Sequence, residues 1–101
     1  PPRSTLFPYT TLFRSVAHMA DVANMPTTVH ISGGFGFVYM LHFASVIRDP
    51  GRYQEYKLGL EKYGQWFDPA ITVRDGKMTV PTGPGVGITD IAAVIKDAKE
   101  V

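Results

Sequence analysis

The chain has 101 residues, a formal net charge of +1 and no cysteine, which excludes disulfide bonds and thiolate zinc sites. It contains no run of basic residues and no basic–aromatic stripe, so we expect no nucleic-acid binding. Its longest apolar run, Phe35 to Val46, is interrupted by Gly36 and His42 and falls short of the ~18 residues that a membrane span needs. We therefore expect neither a nucleic acid nor a membrane as a partner.

The first fifteen residues do not resemble native protein sequence. Thr5 to Ser15 back-translates without a mismatch to a common sequencing-library adapter, and no hydrophobic core or small-residue cleavage site indicates a targeting peptide. We interpret residues 1–15 as an adapter-derived artefact and residues 16–101 as the end of a longer gene, cut off on its N-terminal side. The artefact includes Arg3 and Arg14 and no acid, so the native part has a net charge of −1.

The native part begins with alternating helical and extended patterns. The apolar spacing of residues 16–24 predicts the end of a helix, with Asn24 as a stop signal. The β-branched run Thr27 to Ile31 predicts a short buried strand. After a glycine turn, the apolar segment Phe35 to Ile47 predicts a second helix. A second strand is expected at Tyr53 to Tyr56.

The remaining sequence predicts a hairpin and a final helix. Ile71 to Val73 and Met78 to Val80 flank an Asp-Gly pair, which between β-branched runs is the strongest short-range signal for a hairpin. Thr89 is expected to cap a final amphipathic helix. The predicted fold class is therefore α/β: two parallel strands with helices, a β-hairpin and a C-terminal helix, as in a C-terminal fragment of a (β/α) barrel.

Two polar residues lie on the predicted strands. In a β/α barrel, polar residues at the C-terminal ends of strands face the active site. His30 and Glu55 should therefore emerge at the same end of neighbouring strands and contact one small ligand, an arrangement suited to proton transfer. Each residue also has a purely structural interpretation, with His30 as a satisfied core histidine and Glu55 as a solvated strand-end charge.

Three pieces of the chain are informative in combination: TVHISGGFGFVYMLHFAS from Thr28, YQEYK from Tyr53, and DGKMTVPTGPGVGI from Asp75. Together they resemble the C-terminal end of the enolase superfamily, in its mandelate racemase and acid-sugar dehydratase branch. The resemblance extends over residues 16–101, and its most distinctive part is VPTGPGVGI.

The resemblance implies roles for five residues. His30 would be the general base that removes the proton next to a carboxylate, and Glu55 would hydrogen-bond to the substrate carboxylate or enediolate. Ser32 and Gly33, in the turn after the strand, are expected to bind substrate through their backbone. Trp66 is expected either in the wall of the substrate site or as a loop anchor packed against the protein.

The activity implied by the resemblance is that of a Mg²⁺-dependent acid-sugar dehydratase, a lyase, acting on a small acid sugar or 2-hydroxy acid. Enolase-superfamily sites use a Lys or His base with one or two Mg²⁺ ions. The family's three metal carboxylates lie on earlier strands, so we expect no metal ligand in this chain and no activity from it alone. The parent enzyme is expected to be cytoplasmic and homo-oligomeric.

Two alternatives to the dehydratase remain open at the level of sequence. The first is a racemase or epimerase of the same superfamily, in which His30 serves one face of the substrate and a lysine outside the chain serves the other. The second is a non-catalytic α/β piece in which His30 is structural. A polar pocket shared by His30 and Glu55 would favour an enzyme, whereas an apolar environment around His30 would favour the structural role.

Overall fold

The computed structural model describes residues 6–98, and within that range the regular structure is helical. The helices are α1 (Leu6–Val22), α2 (Phe35–Val46), α3 (Glu61–Gly64) and α4 (Ile91–Asp97). Helix α1 includes part of the segment that we interpret as adapter-derived, of which residues 1–5 lie outside the described residues. None of the helices described is both long enough and apolar enough to cross a membrane.

Helix α1 ends close to the predicted stop signal. Asn24 follows the helix with a φ of 54°, in the left-handed region that favours glycine or asparagine after a helix. The N–H of Met25 then donates to the carbonyl of Ala20 over 2.8 Å, which closes the last turn. The helix buries Ala17 and brings the Phe13 ring to 5.9 Å from Phe43, while Leu12, Val16, Met19 and Val22 are exposed.

Helix α2 lies at the centre of the molecule. It begins at Phe35, as predicted, and ends one residue before the predicted Ile47. Because the helix is apolar nearly all round, it can bury side chains on several sides, and Phe37 and Val38 are fully buried. The buried cluster around it consists of Ile31, Phe37, Val38, Leu60, Trp66 and Phe67. The side chains that surround helix α2 come largely from segments without regular secondary structure, not from a sheet.

The prediction of parallel strands is wrong, because no described residue belongs to a sheet. Segments 27–31 and 53–56 have no regular secondary structure, and their backbone donors do not form a ladder. The N–H of Thr27 donates to the carbonyl of Asp49 over 2.8 Å, whereas the N–H of Ile31 donates to the Glu55 side chain. Parallel strands are normally buried on both faces, and an isolated pair of strands is at best marginally stable in water.

The predicted hairpin is also wrong, although its turn forms. Asp75 and Gly76 both have positive φ, 52° and 71°, as a type I′ turn requires. Arg74 and Lys77 exchange both backbone hydrogen bonds in a single antiparallel bridge. The pairing does not extend beyond this bridge, and the N–H of Ile71 donates to the carbonyl of Gly64 at the end of α3 over 3.0 Å.

The final helix forms, but with a different cap from the one predicted. The Asp90 side chain accepts a hydrogen bond from the N–H of Ala93 over 2.9 Å, so Asp90 is the N-cap of α4. The Thr89 hydroxyl instead accepts the N–H of Asp68 over 2.7 Å. Thr89 therefore fixes the loop that follows α3 against the start of α4.

Candidate functional site

His30 and Glu55 are in direct contact. His30 Nδ1 lies 2.9 Å from Glu55 Oε2, and the two side chains are 77% and 33% exposed. Successive side chains of an extended segment point to opposite sides. Since the neighbouring Ile31 is buried in the core, His30 is directed outward. The two sequence-predicted residues thus meet at the surface, without the strands that were expected to position them.

Glu55 is held as an ionised acceptor. Its Oε2 accepts the N–H of Ile31 over 2.7 Å, and its Oε1 lies 3.7 Å from Lys57 Nζ. The hydrogen bond from Ile31 is the main reason why the pKa of Glu55 lies below its ordinary value. Partial burial opposes that shift, and the charges of His30 and Lys57 add to it. Glu55 therefore accepts hydrogen bonds at neutral pH and has no proton of its own to donate.

Lys57 is a third member of the site, and the sequence reasoning missed it. Its Nζ lies 3.2 Å from His30 Nε2 and 3.7 Å from Glu55 Oε1, so the ammonium lies beside both side chains. The signal that could have found it is the two-residue spacing from Glu55, because residues i and i+2 of an extended segment share one side. Lys57 also begins the next turn, where its carbonyl accepts the N–H of the buried Leu60 over 3.3 Å.

Ser32 and Gly33 lie in the turn between the His30 segment and helix α2, and both are exposed. The Ser32 hydroxyl occupies the space that a side chain at Gly36 would fill, and Gly33 packs closely against the Tyr63 ring. Within the described part of the chain, neither residue hydrogen-bonds to His30 or Glu55. Their role in substrate binding stays a prediction.

The structure places Trp66 in the core. Its side chain is 3% exposed, and its indole Nε1–H donates to Asp97 Oδ2 over 2.8 Å. The ring packs against Phe35 and Tyr63, with centroid distances of 5.4 and 5.1 Å. Among the contacts of the described residues, none joins Trp66 to His30 or Glu55. Of the two roles expected for Trp66, this environment matches the packed anchor.

A cavity of about 790 Å³ lies beside the site. Its wall is mainly apolar, and includes Val29, Ile31, Phe37, Met40, Leu41, Ile71, Val73, Met78 and Val80. Glu55 also lines this cavity, whereas His30, which alternates with Val29 and Ile31, does not. His30 is thus neither packed in an apolar core nor inside a polar pocket. It lies on the solvent-exposed side of its contact with Glu55.

The described residues do not fit a magnesium ion. No group of three or more His, Asp or Glu side chains within that part of the chain is placed to hold a metal. Mg²⁺ requires near-octahedral oxygen coordination. Both oxygens of Glu55 already face donors of this protein, and the donor at Oε1 is the Lys57 ammonium.

Comparison with known proteins identifies the class of this chain. A model of the enolase C-terminal domain-like family matches residues 10–91, so the chain belongs to that family. No curated protein and no solved structure matches it. The resemblance to the enolase superfamily read from the sequence is therefore confirmed, and the narrower dehydratase branch stays a prediction.

Proposed function

We propose that this chain supplies the general base of an enzyme that removes the proton α to a carboxylate and then eliminates water, an acid-sugar dehydratase. The observation that supports this function is the 2.9 Å contact between His30 Nδ1 and Glu55 Oε2. General bases are commonly held by a hydrogen-bonded carboxylate that fixes the tautomer and orientation of the imidazole. Membership of the enolase C-terminal domain-like family is consistent with this chemistry.

The contact assigns the two ring nitrogens different tasks. With its proton on Nδ1 and donated to Glu55, His30 has a lone pair on Nε2, and that lone pair takes the α-proton. The electrons of the broken C–H bond pass into the enediolate. The imidazolium that forms is stabilised by the adjacent carboxylate, and its proton can then go to the departing β-hydroxyl, which leaves as water.

This proposal changes the role that the sequence suggested for Glu55. A residue that hydrogen-bonds to the substrate carboxylate would need a proton to donate, but the hydrogen bond from Ile31 keeps the pKa of Glu55 low. Since Glu55 accepts from both Ile31 and His30, we propose that it orients the base instead of binding the substrate. Glu55 is in this account a positioning residue.

The proposed enzyme also includes a metal site, a substrate and an assembly, which the contacts of His30 and Glu55 do not describe. Members of the enolase superfamily typically use Mg²⁺, and we propose that carboxylates outside the described residues would hold it. The substrate class is a small acid sugar or 2-hydroxy acid, whose carboxylate acidifies the α-proton once its charge is stabilised. A cytoplasmic, homo-oligomeric parent enzyme remains part of this proposal.

Substitution of the base tests the proposal in the full-length enzyme. His30→Asn keeps some hydrogen bonding and removes the proton acceptor, so kcat should fall by roughly 10²–10⁴-fold, the usual contribution of a general base. KM should change little, because the side chain acts on the transition state rather than on substrate binding. Glu55→Gln should reduce kcat less, since the amide oxygen can still accept from Nδ1.

The matched control is His18→Asn, which changes an exposed histidine on helix α1. It should leave kcat and KM unchanged. Equal turnover in the His30→Asn and His18→Asn enzymes would overturn the assignment of His30 as the base.

A further inference from the structure

We propose that Lys57, whose ammonium lies beside Nε2 of His30, binds the carboxylate of the substrate. This inference rests on the proposed function, because it names the residue that recognises the substrate at the same site. The observation behind it is that His30 Nε2, the nitrogen left to accept the α-proton, lies 3.2 Å from Lys57 Nζ.

The two neighbours of the ring, Glu55 at Nδ1 and Lys57 at Nε2, assign its tautomer. A lysine ammonium has three donors and no acceptor, so Nε2 must accept from Lys57. If the ring were protonated on both nitrogens, the N–H at Nε2 and the Lys57 ammonium would be two cationic donors facing each other. The single proton therefore lies on Nδ1 and is donated to Glu55 Oε2, which is a carboxylate. In this tautomer the lone pair is on Nε2, the nitrogen that lies beside Lys57 Nζ.

Lys57 can leave this position at little energetic cost. Its side chain is 46% exposed, and its ion pair with Glu55 Oε1 is long, at 3.7 Å. Exposed ion pairs of this kind contribute little to stability, and the lysine ammonium is a point charge on a flexible stem. A ligand carboxylate that approaches His30 can therefore attract Nζ away from the ring. This movement pairs the incoming negative charge and uncovers Nε2 in the same event.

The charges of the site favour the same exchange. The Glu55 carboxylate and the Lys57 ammonium offset each other's charge beside the His30 ring. A substrate carboxylate adds a negative charge, which would be repelled by Glu55 alone. Among the side chains in contact with His30 and Glu55, Lys57 is the one whose ammonium can meet it. The inference thus predicts selectivity for carboxylates over neutral polyols.

The test uses the 101-residue chain itself and nitrogen-15 NMR of the histidine imidazoles, with D-gluconate as the probe. Gluconate should shift the His30 Nε2 resonance and the Lys57 side-chain resonances in a saturable manner. Sorbitol, a neutral polyol, should not shift them, and sodium chloride at matched ionic strength should not reproduce the full shift. His30 is assigned by its loss in His30→Asn.

Three lysine variants separate binding from general charge effects. Lys57→Gln should weaken gluconate binding by about tenfold, the loss expected for one charge-assisted hydrogen bond, and should leave Nε2 uncovered without ligand. Lys57→Arg should restore most of the affinity, because a guanidinium also pairs with carboxylates. Lys77→Gln, which removes an exposed charge at the Asp75–Gly76 turn, should bind gluconate like the unmodified chain.

Equal gluconate binding by Lys57→Gln and the unmodified chain would overturn the inference. So would the absence of any gluconate effect on Nε2 in the unmodified chain, even if turnover of the full-length enzyme still depended on His30. Displacement of Lys57 by gluconate together with normal turnover of the His30→Asn enzyme would instead refute the proposed function and leave the binding role of Lys57 intact.

Discussion

A substitution of Trp66 can distinguish a residue of the core from a residue in the wall of the substrate site. It is the only tryptophan of the chain, and its indole N–H donates to Asp97 Oδ2 over 2.8 Å. The substitution Trp66→Phe removes this donor and leaves a smaller ring in the same aromatic cluster. The main expected consequence is a loss of stability.

The expected loss can be worked out from the contacts. A hydrogen bond to a charged group contributes about 1.5–3 kcal/mol, and the lower part of that range applies because the exposed Asp97 can regain water. Replacing indole by phenyl also removes buried ring atoms from a side chain only 3% exposed, at a cost of about 1 kcal/mol. The total is about 2–3 kcal/mol, which for a domain of this size lowers the unfolding midpoint by roughly 10–20 °C.

The assay is thermal and urea unfolding followed by circular dichroism, at low micromolar concentration. Leu58→Ala is the matched control, since Leu58 is 97% exposed and its truncation should change the free energy of unfolding by less than about 0.5 kcal/mol. Asp97→Asn should give an intermediate loss, because the amide oxygen still accepts but has no charge. If Trp66→Phe were as stable as the Leu58→Ala control, Trp66 would not be the core residue described here.

Two further predictions concern Glu55 and Asp90. Because the pKa of Glu55 is lowered by folding, its contribution to stability is present above its ordinary value of 4.5 and is lost as the pH falls through the lower folded value. Unfolding midpoints should therefore fall as the pH drops below 4.5, and less so in Glu55→Gln; equal acid sensitivity in both would contradict the network with Ile31. Asp90→Ala should lower the free energy of unfolding by about 1 kcal/mol because it removes the N-cap of α4, whereas Asp90→Asn should lower it little. Equal losses of stability in the two variants would rule out the cap.

The sequence predicted those parts of the fold that depend on local interactions. Helix α2 is apolar nearly all round, and the turn at Asp75 and Gly76 requires only two residues with positive φ. Asn24 stops helix α1 for the same local reason. These features need no distant partner, so their signals can be read directly from the chain.

The strands could not be predicted correctly because a strand depends on what lies beside it. The runs Thr27 to Ile31 and Tyr53 to Tyr56 have strand-like composition, but the ladder donors that would join them are used elsewhere. The most direct case is Ile31, whose N–H binds a side-chain carboxylate instead of a backbone carbonyl. Composition alone does not show which acceptor a backbone donor will find.

The site shows a similar division. His30 and Glu55 were selected from the sequence, and the structure brings them into contact. Lys57 was missed because a single lysine two residues after a glutamate is a common pattern on solvated segments. For Trp66 the sequence predicts two possible places, and its hydrogen bond to Asp97 joins residues too distant in sequence to be predicted from local patterns.

Exchange of the substrate α-proton with D₂O tests the central claim most directly, because proton removal precedes either elimination or inversion. The full-length enzyme is incubated with an acid-sugar substrate in D₂O, and the α-proton signal is followed by proton NMR. We predict that His30→Asn slows this exchange at least about 10²-fold, while the enzyme still binds the substrate. Exchange at the unmodified rate in the His30→Asn enzyme would contradict the account, and His30 would then be no more than a surface partner of Glu55.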